Sequence, residues 1–248
     1  MCPERMIKIG TAGWAIPAPV RDAFPSEGSV LKRYASRFPA VEINSSFHRS
    51  HRPATYARWA ASVPAEFRFS VKVPKTITHE RRLLDCDEQL SQFLAETSEL
   101  GDKIGPMLVQ LPPSFGFDAH TANIFFAQFR DHYSGQIVCE PRHGSWFAPE
   151  VEELFLKRRI ARAAADPAPV PDSARPGGSG ELAYFRLHGS PSMYRSAYGE
   201  ERLRSIAAAA LAVRSHGCWI MFDNTASGAA AADALLLWDI IQQPSGGR

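Results

Sequence analysis

The chain has 248 residues, 45% hydrophobic and 22% charged, a balance that excludes the low-hydropathy, high-charge regime of disordered chains and allows a sizeable core. A formal charge of +2 excludes any case for nucleic acid or membrane built on net charge alone, so electrostatics must be read from where the charges fall. Four scattered cysteines, Cys2, Cys86, Cys139 and Cys218, form no C-x-x-C pair, which argues against a zinc knot or a disulfide framework and for a reducing compartment.

In chain order, residues 1–5 lead into a strand at 7–13 without an apolar leader, and no later run approaches 18 apolar residues, so a soluble, cytoplasmic protein is expected. A helix at 30–37 precedes a strand at 40–46, and a helix at 54–61 precedes a strand at 68–74. A helix at 87–100, a strand at 107–111, a helix at 119–132, a strand at 136–142 and a helix at 149–158 continue the alternation to a strand at 160–166. The stretch 167–180 is too rich in Pro, Gly and Ser to sustain a helix, and a mobile loop is expected there. The pattern closes with strands at 182–188 and 218–224 and helices at 200–215 and 229–240.

Strands alternating with helices predict a parallel α/β sheet, and eight strands are the number of a (β/α)8 TIM barrel. An open doubly wound sheet competes, but no GxGxxG or GxxxxGK[ST] loop follows any strand. The expectation is one barrel domain over residues 1–242, lacking the helix between its sixth and seventh strands, with a flexible tail at 243–248.

Side chains alternate across a strand, so the apolar set should face the helices and its complement the barrel axis. Ala183, Phe185 and Leu187 then point outward and Tyr184, Arg186 and His188 inward. The same parity turns Glu42, Asn44, Ser70, Lys72, Gln110, Glu140 and Arg142 inward; Asp166 is also expected inward, and the last strand offers either Asp223 or Asn224. These polar groups sit toward the C-terminal strand ends, where barrel enzymes build their sites. A purely structural reading has Glu42, Glu140 and Asp166 neutralise Lys72, Arg142 and Arg186; buried ion pairs rarely gain stability over apolar packing, which weakens it.

The loops after these strands carry Phe47, His48, Arg49, His51, Arg52, Lys75, His79, Arg81, Arg82 and Arg195, a basic rim suited to phosphate or carboxylate groups. Trp14, Phe47, Trp146, Phe147, Tyr194 and Tyr198 are interleaved with it, either to stack on a ligand or to close the barrel top as packing.

Taken together, IGTAGW (Ile9 to Trp14), VEINSSFHR (Val41 to Arg49), RFSVKVPKTITHERRL (Arg68 to Leu83), QLPPSF (Gln110 to Phe115), EPRHGSW (Glu140 to Trp146) and FRLHG (Phe185 to Gly189) resemble the YecE-like family, domain of unknown function 72. The resemblance covers nearly the whole chain in order. It implies a TIM barrel and, through the likeness of that barrel to the endonuclease IV and xylose isomerase group, raises metal-dependent or DNA-related activity by analogy of fold. The chain departs from the family pattern at Ala15 and Ile16, at Pro141 and Gly144, and in FDNT near its end, while Lys72, Glu140, Arg142, His143 and His188 remain in place.

The chemistry these residues suggest first is general acid and base catalysis on a small anionic, phosphate-bearing substrate, a nucleotide or nucleic acid among the options. Glu140 or His188 would exchange the proton, with Lys72 as a third candidate, and Arg142 and Arg186 would hold the anion. His143, Glu42, Asn44, Gln110, Trp14, Trp146 and Tyr194 complete the expected binding set. A histidine among arginines should titrate low and serve as a neutral base. No cofactor is expected, and a divalent metal on Glu140, Asp166, His188 and Asp223 is an alternative disfavoured by the neighbouring arginines. Lys72 as a Schiff-base nucleophile ranks lower, because Glu42 and Glu140 should hold it charged. A non-catalytic nucleic-acid binder is the remaining class, opposed by the inward carboxylates.

Overall fold

A computed structural model describes residues 7–242; residues 1–6, with Cys2, and the expected tail at 243–248 lie outside the described residues. Five strands, β1 (Ile7–Thr11), β2 (Ala40–Ile43), β3 (Arg68–Lys72), β4 (Ile104–Gln110) and β5 (Ile137–Glu140), precede a segment that splits into β6 (Ile160–Arg162) and β7 (Ala164–Asp166). A two-residue strand, β8 (Gly177–Gly178), then leads to β9 (Leu182–Leu187) and β10 (Gly217–Phe222). Parallel ladders run β2-β3-β4-β5-β6 and β1-β10-β9-β7, which is the strand order of an eight-stranded barrel; only β8 is antiparallel, against β6.

The ladder is interrupted at two seams. At the first, the expected sixth strand is shared between sheets: β6 pairs with β5 and β7 with β9, the switch falling at Ala163, whose N–H reaches Cys139 O at 2.8 Å. At the second, β1 and β2 meet through a single bridge at Ala12 and Glu42, with Gly13 N–H on Glu42 O at 2.8 Å. Here the fully buried Tyr34 reaches in from the preceding helix, its hydroxyl accepting from Thr11 N–H at 2.8 Å and donating to Ala40 O at 3.1 Å. Gly10 makes the approach possible, because a Cβ there would lie 2.1 Å from Ala40 O. Tyr34→Phe should therefore cost about 1–3 kcal/mol by chemical denaturation, since two buried backbone groups lose their partner; an unchanged midpoint would show that the seam does not depend on that hydroxyl.

Among the described residues seven α-helices cover the outside: α1 (Val30–Ala35), α2 (Pro53–Ala61), α3 (Asp87–Thr97), α4 (Ala119–His132), α5 (Pro149–Arg158), α6 (Glu200–Ala212) and α7 (Ala229–Gln242). None is long and apolar enough to cross a membrane. α3 stops short of Leu100, since Gly101 at φ +56° breaks the helical path and the chain continues as a 3-10 turn. No helix fills the gap between β7 and β9. The segment is nonetheless tied down rather than loose, with Arg162 Nη1 on Asp172 O at 3.1 Å and Gly178 N–H on Glu152 Oε1 at 2.6 Å.

The outer core, with Phe69, Phe125, Phe129, Phe155 and Ile220, lies between strands and helices. A second cluster, Ala40, Leu108, Val138, Ala161, Ala163, Leu182, Tyr184, Trp219 and Met221, fills the barrel itself. Ala40, Leu108, Val138, Tyr184 and Met221 each stand two residues before the polar group of the same parity, Glu42, Gln110, Glu140, Arg186 and Asp223, so the polar set lies toward the C-terminal mouth above an apolar plug. Tyr184 and Trp219 stack at its centre, 6.2 Å apart and 14° from parallel.

Candidate active site

Above this plug the inward residues of β2, β5, β9 and β10 converge on one guanidinium. Arg186 is fully buried; its Nε and Nη2 grip Glu42 at 3.1 and 2.8 Å, Nη1 meets Glu140 at 3.1 Å, and Nη2 also meets Asp223 at 2.9 Å. Every nitrogen of the group already faces a carboxylate. The expectation that Arg186 holds a substrate anion is thereby corrected, because its fork is spent on three acidic side chains of the protein. The parity left open on β10 resolves to Asp223 inward, while Asn224 turns to Asp233 at 2.6 Å on α7.

Backbone pairing continues one step beyond the strands. His188 N–H reaches Asp166 O and Asp223 N–H reaches Leu187 O, both at 2.7 Å, and Gly189 at φ +90° then turns the chain away. His188 is held between acids, its Nδ1 3.0 Å from Asp223 and its Nε2 2.9 Å from Glu140. Burial acts to lower its pKa, but Glu140 and Asp223 outweigh burial and the imidazole titrates above its ordinary value. The expected low titration is therefore corrected: a carboxylate beside each nitrogen favours the charged ring, although Arg142 Nη1 also lies 3.3 Å from Nε2.

Glu140 is likewise engaged on both oxygens. Oε1 takes Arg142 Nη1 at 2.9 Å and Gln110 Nε2 at 3.2 Å in addition to His188, and Oε2 takes Arg186. Burial pushes its pKa up, yet Arg186 first, then His188 and Arg142, hold it well below the usual carboxylate range. Such a group anchors charge and is a poor proton acceptor near neutrality. At Asp223 burial again acts upward, and Arg186, His188 and Lys72 together lower its pKa.

Lys72, at the end of β3, is the exception. It is only 6% exposed, yet its ammonium makes no hydrogen bond or ion pair among the described residues and lies 3.9 Å above the Phe47 ring. Burial foremost, aided by Arg186, lowers its pKa to about 8 against the pull of Glu42, Asp223 and Glu140. The acids expected to hold Lys72 charged pull its pKa up without pairing with it: they are bound to Arg186 and His188, and none is within ion-pair distance of the amine.

Two other groups have spare capacity. Arg142 Nη2 rests on Met193 Sδ at 3.1 Å, a weak acceptor that an oxygen anion would displace. Asn44 Oδ1 is buried without a partner. Tyr194, 41% exposed, sets its ring edge-on to His188 at 5.5 Å and covers it from solvent.

Several expected site residues lie elsewhere. Asp166 shares parity with the outward Ile160 and Ala164 and pairs with Arg202 on α6 at 3.0 Å, so the inward assignment is corrected and the metal set loses that member. Among the described residues no three His, Cys, Asp or Glu side chains are grouped to hold a metal ion. Trp146 is fully buried with its indole N–H on Phe115 O at 2.8 Å, and Trp14 packs against Trp59 at 5.0 Å. His143 is exposed and caps the turn at Gly144–Phe147 through Ser145. On the rim, Lys75 is paired with Glu80 at 2.8 Å and Arg82 donates to Ser114 at 3.1 Å. A cavity of about 160 Å³ beside Phe47, lined by Arg49, Thr76, Gln92 and Glu96 among others, touches none of the charged residues around Arg186. Met193 was not legible as a site residue, because nothing in its local sequence indicates that its loop folds back over Arg142.

Comparison with known proteins places this geometry. The UPF0759 protein YecE of Escherichia coli is 34% identical over 178 residues, 69% of this chain and 62% of that protein, so the match spans less than two thirds of that relative. A DUF72 family protein from Enterococcus faecalis superposes with a TM-score of 0.82 at 22% identity, covering 96% of both chains. Another from Thermotoga maritima gives 0.80 at 23% identity, covering 96% of this chain and all of that one (100%). At that identity the two structures show the shared barrel fold and nothing finer. The model described as "Protein of unknown function DUF72" matches residues 8–247, and the chain belongs to that family.

Proposed function

We propose that the chain is an enzyme that binds a small anionic substrate at the C-terminal barrel mouth and moves a proton on it through Lys72. One observation carries this reading: in a site where each carboxylate and Arg186 already have partners, Lys72 alone is nearly buried, titratable near neutrality and unpaired. At pH 7 a group of pKa about 8 is neutral in roughly one molecule in ten, enough to accept a proton as well as to give one. Because the acids beside His188 favour its charged form, the three carboxylates Glu42, Glu140 and Asp223 would face up to four cationic side chains, Lys72, Arg142, Arg186 and His188, a balance that favours an anion. Arg142 Nη2 would take the anion in place of Met193, and Asn44 Oδ1 would accept a hydroxyl or amine proton of the substrate.

Glu140, His188 and Asp223 have the task of fixing Arg142 and Arg186 and holding the field constant as the proton moves. A phosphate ester, a nucleotide or a carboxylic acid would satisfy the same donors. Crystals soaked in sulfate should show the ion on Lys72 Nζ and Arg142 Nη2, with Met193 displaced. Sulfate found on the outer rim with the mouth unoccupied would defeat the reading. Salt-steep binding of single-stranded DNA without turnover of any small ester would favour a nucleic-acid binder in its place.

A further inference from the structure

We infer that Lys72 is a nucleophile as well as a proton carrier, and that the substrate is an anionic carbonyl compound, such as a 2-oxo acid, held as an imine on its Nζ. This deepens the acid and base reading above and rests on its anion site. The argument begins with what surrounds the amine. An amine kept only for charge balance would be expected to contact an acid, and Glu42, Glu140 and Asp223 all lie in the same site; each is instead bound to Arg186, and Lys72 Nζ faces the π-cloud of Phe47 at 3.9 Å. A ring offers a cation a weak, non-directional contact, and it offers a neutral amine an apolar wall that leaves the lone pair free. Burial and the nearby Arg186 are the two influences known to prepare a lysine for attack on a carbonyl, and both act on Lys72.

The remaining spare groups match the other end of such a molecule. Arg142 Nη2, held only by Met193 Sδ, suits the carboxylate of a 2-oxo acid, and Asn44 Oδ1 suits the proton of the carbinolamine hydroxyl. The chemistry balances without a co-reactant. The ammonium first gives one proton to water. The neutral amine then attacks the carbonyl carbon; the N–C bond forms as the C=O π pair moves to oxygen. The two protons left on nitrogen pass to that oxygen, which departs as water and leaves C=N. Arg186 and Arg142 keep positive charge beside the developing oxyanion.

The test is reductive trapping of the full chain with glyoxylate or pyruvate and cyanoborohydride at pH 7.5, read by peptide mapping. Lys32, Lys75, Lys103 and Lys157 serve as internal controls, and Lys8, whose pKa is lowered by burial and Arg68, shows what a depressed pKa alone does away from the site. An amine of pKa about 8 has roughly a hundredfold larger neutral fraction than an ordinary lysine, and after allowance for restricted access Lys72 should label at least about tenfold faster than Lys157. Lys72→Arg should abolish that adduct and leave the other five lysines unchanged. A parallel thermal-shift titration with sulfate, on the wild type and on Arg142→Gln, separates the two ideas. Labelling of Lys72 that sulfate slows supports both. Stabilisation by sulfate that Arg142→Gln removes, with Lys72 labelled no faster than Lys157, overturns the imine and leaves the anion site standing. Labelling that sulfate does not slow supports the imine and removes the anionic half of the reading. Neither effect overturns both.

Discussion

Arg186→Met should lower the melting temperature by about 6–20 °C at pH 7, from about 3–5 kcal/mol for breaking a buried pair from one side and about 2–4 °C per kcal/mol in a domain of this size. The side chain is fully buried and serves Glu42, Glu140 and Asp223 at once. A methionine of similar length fills the space but leaves three carboxylates facing one another in a low-dielectric pocket. Glu140 and Asp223 titrate low because Arg186, together with His188 and the other nearby cations, outweighs their burial, so the stability this adds is present above their ordinary pKa and fades as pH falls through the depressed values. In the variant the same acids are pushed up and prefer to be neutral. The gap to wild type should therefore be widest near pH 7 and narrow toward pH 5. A melting temperature within a few degrees of wild type at pH 7 would mean that water reaches the site and Arg186 is not its hub.

Lys72→Met should have the opposite profile: turnover of an anionic substrate lower by about 100-fold or more, the scale of a lost general acid or base, with stability unchanged or raised. The reason is that Lys72 makes no ion pair or hydrogen bond among the described residues that its loss would break, while its charge is costly to bury. The sign follows from the titration. The folded pKa is about 8 and the ordinary value 10.5, so between those limits the unfolded chain binds more protons and wild-type stability rises with pH. Below pH 8 the full penalty is present. Paired melts should show wild type gaining on Lys72→Met by up to about 3 kcal/mol from pH 8 to pH 10.5, at 1.36 kcal/mol per pKa unit. A flat difference across that window, or a large loss of stability in the variant at pH 7, would mean that Lys72 is an ordinary charge partner.

What the sequence by itself determined is the set of local, periodic features. Helices at 119–132 and 149–158 have the bounds their apolar spacing requires, and Pro149 together with the cap at Asp118 marks their starts. Strand parity alone brought Glu42, Lys72, Gln110, Glu140, Arg142, Arg186 and His188 to one mouth, because the pleat has a period of two and the outer face must be apolar. Parity failed where that face was not apolar: Asp166 lies on the outer side, and its partner Arg202 stands 36 residues further along the chain. It could not choose between Asp223 and Asn224 either, since both are polar and only the packing of α7, with Asp233 waiting for Asn224, decides. The seam where Tyr34 meets Thr11, the division of the sixth strand at Ala163 and the contact of Arg142 with Met193 all join residues far apart in sequence.

Electrostatics depended most on tertiary structure. A list of charges says how many acids and bases share a face, whereas the pKa of each depends on which pairs touch and how much water remains. Arginine on β9 takes all three acids, His188, Arg142, Gln110 and Tyr184 donate to them as well, and the lysine lies over an aromatic ring instead. Composition is the same under any pairing; only the packed barrel decides that Lys72 makes no ion pair or hydrogen bond among the described residues.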